Sequence, residues 1–130
     1  MCEKLSAIAR ASYESDAQLL ALKAKIRHLY DIYFLIQYSD IQGFIYQDAF
    51  IEMIKIVRED DQKQFDTSRW SQIKLSETPI FTNTSHILNQ LNHHYKTQFY
   101  DLVYAQTLPS IHEIQKAINE VASILTKEKL

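Results

Sequence analysis

Leu22, Ile26, Leu29, Tyr33 and Ile36 recur three and four residues apart, and Lys23, Arg27 and Asp31 form a second line at four-residue spacing beside them. Two such lines on one segment predict a helix with an apolar side and a polar side. This helix, the second of the chain, is predicted to run from about Asp16 to Gln37. Ser15 followed by Gln18 fits a capping box at its start. The first helix, about Cys2 to Tyr13, places Leu5, Ile8, Ala9 and Ser12 on one side. It begins without a Ser, Thr, Asp or Asn cap.

Ser39-Asp40 and the single glycine, Gly43, predict a turn or short helical turn between Tyr38 and Tyr46. Phe50, Met53, Ile54 and Val57 then give the apolar face of a third helix ending in Arg58-Glu59-Asp60-Asp61. Acidic residues there oppose the helix dipole, so that end is expected to fray or be paired. Residues 64–83 mix Trp70, Ile73, Leu75, Ile80 and Phe81 with Pro79 and many hydroxyls, without a sustained period, and read as a mostly irregular connection. Thr84 or Ser85 can cap a fourth helix, with Ile87, Leu88, Leu91, Tyr95, Gln98, Phe99, Leu102 and Val103 inward as far as Ala105. Leu108-Pro109 stops it. Ser110 and Glu113 form a second capping box, and Ile111, Ile114, Ile118, Val121 and Leu125 make the stripe of a fifth helix.

The expected fold is therefore all-α: residues 1–130 as a single helical domain, an irregular bundle of about five helices. One glycine, two prolines and the lack of an alternating β-branched run argue against a turn-rich sheet. A chain of 130 residues is long enough to bury roughly two thirds of its unfolded surface. Fourteen basic and 16 acidic residues leave a net charge of −2, which supplies no global attraction to nucleic acid or an anionic membrane. The single Cys2 forms no internal disulfide. No stretch is apolar for long enough to span a bilayer and the N-terminus carries no leader pattern, so the expected location is cytoplasmic.

The chemistry-bearing residues are few. His86, His93, His94 and His112 have no metal-binding spacing and predict no metal site. No glycine-rich phosphate loop and no nucleophile elbow is present. Arg27 and Asp31 alone read as a surface ion pair, Lys4 as a solvated lysine, and Tyr30 and Tyr33 as half-buried packing residues.

The segment Arg27-His28-Leu29-Tyr30-Asp31-Ile32-Tyr33, preceded by Glu3-Lys4-Leu5, adds a family signature. It resembles the R-H/D-x-Y-D-[IL]-Y-x-L helix, and the Glu-Lys-[LI] before it, of AbiEii-type nucleotidyltransferase toxins of type IV toxin-antitoxin and abortive-infection systems. Phe99 to Tyr104 followed by Leu108-Pro109-Ser110 is similar, less specifically, to that family's aromatic-rich segment and final helix. The resemblance implies that Lys4 meets the nucleotide triphosphate and that Asp31 faces the same cleft as the second catalytic residue. Arg27, His28, Tyr30 and Tyr33 would support them. An ammonium suits polyphosphate charge, and a carboxylate beside it orients that cation or takes a proton from an attacking group.

The complete family enzyme is expected to use Mg²⁺ and a nucleoside triphosphate and to modify an RNA acceptor. Its metal carboxylates come from a Gly-Ser turn and an Asp-x-Asp strand, and neither motif occurs in this sequence. The chain is thus expected to match only the C-terminal part of such an enzyme, as a truncated or split module inactive alone and without a cofactor of its own. Its partners would be a separate catalytic half or an antitoxin, with RNA met only through the missing part. A homodimer is the further expectation, since Leu5, Ile8 and parts of the second helix would lack their usual cover, with Tyr30, Phe34 and Tyr38 as added contacts. The other reading is an independent helical protein-interaction domain. The direction of Lys4 and Asp31 discriminates between them: opposite sides of the fold would remove the shared cleft.

Overall fold

The computed structural model describes residues 1–14, 17–66, 69–100 and 108–130. Among the described residues there are eight α-helices and no strand: α1 Cys2–Glu14, α2 Gln18–Ala24, α3 Ile26–Gln37, α4 Ser39–Phe44, α5 Asp48–Gln64, α6 Pro79–Thr82, α7 Thr84–His94 and α8 Ile111–Lys127. The all-α expectation holds, and the count of about five does not. The extra helices arise where one expected helix is broken and where short segments coil.

The break falls at Lys25, which separates α2 from α3. Its N–H donates to Leu22 O and its own carbonyl accepts from His28 N, both three-residue steps that tighten the backbone locally. The apolar stripe survives the break: Leu22, Ile26, Leu29 and Ile36 are buried, with Ile32 taking the innermost place expected of the half-buried Tyr33. The Ser15 half of the expected capping box lies outside the described residues. Gln18 instead donates its side-chain N–H to Ser12 O at 2.6 Å.

Leu5, Ile8, Ala9 and Ser12 are buried as the α1 pattern implies. α1 packs on α2, α3, α5 and α6, while α8 packs on α3, α6 and α7, so α3 lies between α1 and α8. This corrects the expectation that Leu5 and Ile8 lack cover: both are fully buried within this one chain.

Two further corrections concern the middle of the chain. On α5 the inward line is Phe50, Ile51, Ile54 and Arg58, and Met53 is 48% exposed. Residues 64–83 are more ordered than their aperiodic sequence suggests. A 3-10 turn, Leu75–Glu77, leads to α6, which starts on Pro79, where a missing N–H costs nothing. Trp70, Leu75, Thr78, Ile80 and Phe81 are buried.

Arg58 holds this segment to α5, donating Nη2 to Trp70 O at 2.7 Å and to Ile73 O at 2.6 Å. Asp61 accepts from Trp70 Nε1 at 2.9 Å and from Arg10 Nε at 3.1 Å, so the acidic end of α5 is paired at that residue.

α7 lacks the expected hydroxyl cap: its N-cap is Asn83, and Thr84 Oγ1 donates to Ile80 O. After His94 the helix widens into a π-helical turn, Tyr95–Phe99, which turns Tyr95 and Phe99 inward and leaves Gln98 exposed. Leu102, Val103 and the rest of 101–107 lie outside the described residues. α8 has the expected capping box, with Glu113 N donating to Ser110 Oγ and Ser110 N to Glu113 Oε2. Its stripe is buried from Ile111 to Leu125.

Candidate functional site

An ion pair joins two residues 27 positions apart in the chain, on the packed helices α1 and α3. Lys4 on the first turn of α1 places Nζ 2.9 Å from Asp31 Oδ2 in the middle of α3. The other oxygen, Oδ1, accepts from Arg27 Nε at 3.1 Å, one turn earlier on α3. The burial of Leu5 and Ile8 aims α1 at α3, and the four-residue spacing of Arg27 and Asp31 sets the second contact. Lys4 and Asp31 therefore face one another, and Arg27 completes a fork around a single carboxylate.

The charges reinforce this arrangement. Burial pushes the Asp31 carboxyl upward, but hydrogen bonds from Lys4 and Arg27 and their positive charges outweigh it and hold the carboxyl below its ordinary value. Asp31 is thus ionised at neutral pH. Lys4 and Asp31 stay partly exposed, at 31% and 23% of their side-chain surface, so both remain within reach of solvent.

His28 sits one residue from Arg27. Its Nδ1 is buried and has no hydrogen-bond partner. Burial, then the charges of Lys4 and Lys25, push the imidazole below its ordinary pKa, with Asp31 opposing them. A neutral ring beside Lys4 follows.

Tyr30 and Tyr33 lie on the aromatic side of the same helix. The Tyr30 ring is 4.7 Å from Phe34 and 5.4 Å from Phe99, and the Arg27 guanidinium lies 5.8 Å from its centroid. Burial, with the charge of Glu113 and a hydrogen bond to it, raises the pKa of Tyr33. Burial likewise keeps Tyr95 protonated, and its hydroxyl donates to Pro109 O. Glu113 was not among the residues singled out from sequence beyond its capping role. Nothing local to it signals that it also serves Tyr33 on another helix.

The donor set does not suit Mg²⁺. Both oxygens of Asp31 are committed to cations, and no group of three or more His, Cys, Asp or Glu side chains that could hold a metal occurs among the described residues. Cys2 is buried, and its burial raises the thiol pKa, which suits a packing residue. No helix of the described residues is long and apolar enough to cross a membrane.

A search of curated proteins and a search of solved structures each found no match. The sequence model of the family described as "Nucleotidyl transferase AbiEii toxin, Type IV TA system" matches residues 1–120. With nearly the whole chain matched, from the Lys4 helix through most of α8, the protein belongs to the AbiEii nucleotidyl transferase toxin family.

Proposed function

We propose that this chain is a helical module of an AbiEii-type nucleotidyl transferase, contributing Lys4 as the triphosphate contact and Asp31 as the carboxylate that orients it. The single observation that carries this reading is the 2.9 Å pairing of Lys4 Nζ with Asp31 Oδ2 across two helices. Lys4 and Asp31 lie 27 residues apart, so only the packing of α1 on α3 brings them together. In this arrangement Asp31 fixes the ammonium and Arg27 adds a second cation, so polyphosphate charge is met by a fixed pair of donors rather than a free side chain. The module is inactive alone, because the metal carboxylates of the reaction are to come from a separate catalytic half, and the sequence has no Gly-Ser or Asp-x-Asp pair to supply them. An antitoxin is the expected cellular counterpart, as the family's type IV toxin-antitoxin description suggests.

The experiment is calorimetry of the purified chain with ATP, GTP, CTP and UTP in Mg²⁺, together with a labelled-nucleotide transfer assay on RNA. No micromolar Mg²⁺-dependent binding and no transfer is the expected result. Micromolar Mg²⁺-dependent binding, or label on the RNA, overturns the split-site reading.

A further inference from the structure

α3 carries more than the charged fork. Arg27, Asp31, Phe34 and Tyr38 follow one another at four-, three- and four-residue spacing and therefore share one face of the helix or its continuation. Arg27 is exposed, Phe34 is 38% exposed and Tyr38 is 66% exposed. The cation-bearing part of this face thus runs directly into an aromatic part that other side chains leave open. Phe34 follows Asp31 by three residues, a rise of about 4.5 Å.

The Phe34 ring is also held in place. Tyr30 approaches it at 4.7 Å with the planes tilted by 56°, and Tyr33 meets it edge-on at 5.1 Å and 82°. Tyr30 is in turn supported by Phe99 at 5.4 Å. An exposed aromatic ring fixed by two neighbours is a preorganised stacking surface, because little side-chain freedom is lost when a flat ligand settles on it.

We propose that Phe34 is the residue on which the base of a nucleoside triphosphate stacks while its phosphates meet Lys4 and Arg27. This rests on the reading of Lys4 as the triphosphate contact and adds a role for a residue that neither the charge pattern nor the ion pair assigns. Lys4, held at Asp31, lies about one helical turn along α3 from the aromatic platform and Arg27 about two, and this run of cations and ring matches the two chemically distinct ends of a nucleotide. The ribose spans the step between them. Stacking on a phenyl ring accepts any base, so Phe34 contributes affinity and placement without choosing among the four nucleotides.

The test uses the intact chain without Mg²⁺, followed by NMR at millimolar ligand, with ATP compared against inorganic tripolyphosphate. Both ligands are expected to shift the resonances of Lys4 and Asp31. ATP alone should shift the Phe34 ring protons and give a cross-peak between them and adenine H8 or H2, and it should bind about tenfold tighter than tripolyphosphate. In Phe34→Leu that advantage should disappear while tripolyphosphate binding stays unchanged. Phe34→Trp should keep it, and circular dichroism checks that both variants are folded.

Equal affinity for ATP and tripolyphosphate in the native chain, with no Phe34 cross-peak, overturns the stacking proposal and leaves Lys4 as a phosphate contact. Absence of any shift at Lys4 and Asp31 with either ligand overturns the phosphate reading beneath it as well.

Discussion

The guanidinium of Arg58 lies 3.7 Å from the centroid of the Trp70 ring and, from the same position, donates to the Trp70 and Ile73 carbonyls. One side chain of α5 thus anchors both the face of the indole and the backbone around it. Arg58→Met keeps the apolar stem but removes charged donors from two carbonyls, so a loss of about 3 kcal/mol in urea denaturation is expected. A change within about 0.5 kcal/mol would mean that the segment is held by Trp70 burial alone.

That segment was the least legible part of the fold. A helix of four residues and a 3-10 turn are too short to generate a period, and the side chains that order them, Arg58, Asp61 and Gln62, belong to a different helix. Thr78-Pro79 before Ile80-Phe81 did carry a helix-start signal, since proline suits the first helical position. On α5, an apolar count favours Met53 over Arg58 for the inward line. The structure reverses this because the arginine has carbonyls and an indole to meet, while Met53 stays 48% exposed. The Lys25 break leaves no trace in the sequence, having neither glycine nor proline and an apolar stripe that continues through it.

The site was legible to different degrees. Arg27 and Asp31 follow from four-residue spacing alone. The pairing of Lys4 with Asp31 has no local signature and was reachable only through the family resemblance. The second partner of Glu113 was not reachable from either.

Leu5 is fully buried against the other helices of this chain. Leu5→Asp should therefore unfold the protein, at a cost of about 4 kcal/mol or more for an unpaired charge in the core. A folded monomer produced from a native dimer is the outcome that restores the uncovered-α1 reading. Circular dichroism and light scattering on the same sample separate the two results.

The Lys4–Asp31 contact should be modest in energy despite its placement, because both side chains remain partly exposed. A double-mutant cycle of Lys4→Met and Asp31→Asn is expected to give a coupling of about 0.5–1 kcal/mol that shrinks in 1 M salt. Zero coupling at low salt would show that the pair does not persist in solution.

His28 provides a pH test. Its folded pKa lies below the ordinary imidazole value of about 6.5, so between those two values the unfolded chain binds more protons than the native one. The native state is consequently favoured above about pH 6.5 and loses stability as the pH falls through that window. The Asp31 contribution is lost only at lower pH, as the solution drops through that group's depressed value. Denaturation between about pH 7 and about pH 5 should show native protein losing more stability than His28→Gln. Equal slopes, or a His28 titration above 6.5 by NMR, would contradict the buried, neutral ring.

Asp31 has one partner four residues away and another 27 residues away, and the two differ in when they can form. The contact with Arg27 needs only a few turns of α3 and is available to a nascent helix. Lys4 arrives only after a loop has closed and α1 has docked through Leu5 and Ile8, so the complete fork belongs to the native state and to no local fragment. An anion that requires both cations has no counterpart site in the unfolded ensemble. Its binding free energy is therefore added to that of folding by mass action, and even a ligand too weak for calorimetry should raise the melting temperature once its concentration exceeds its dissociation constant.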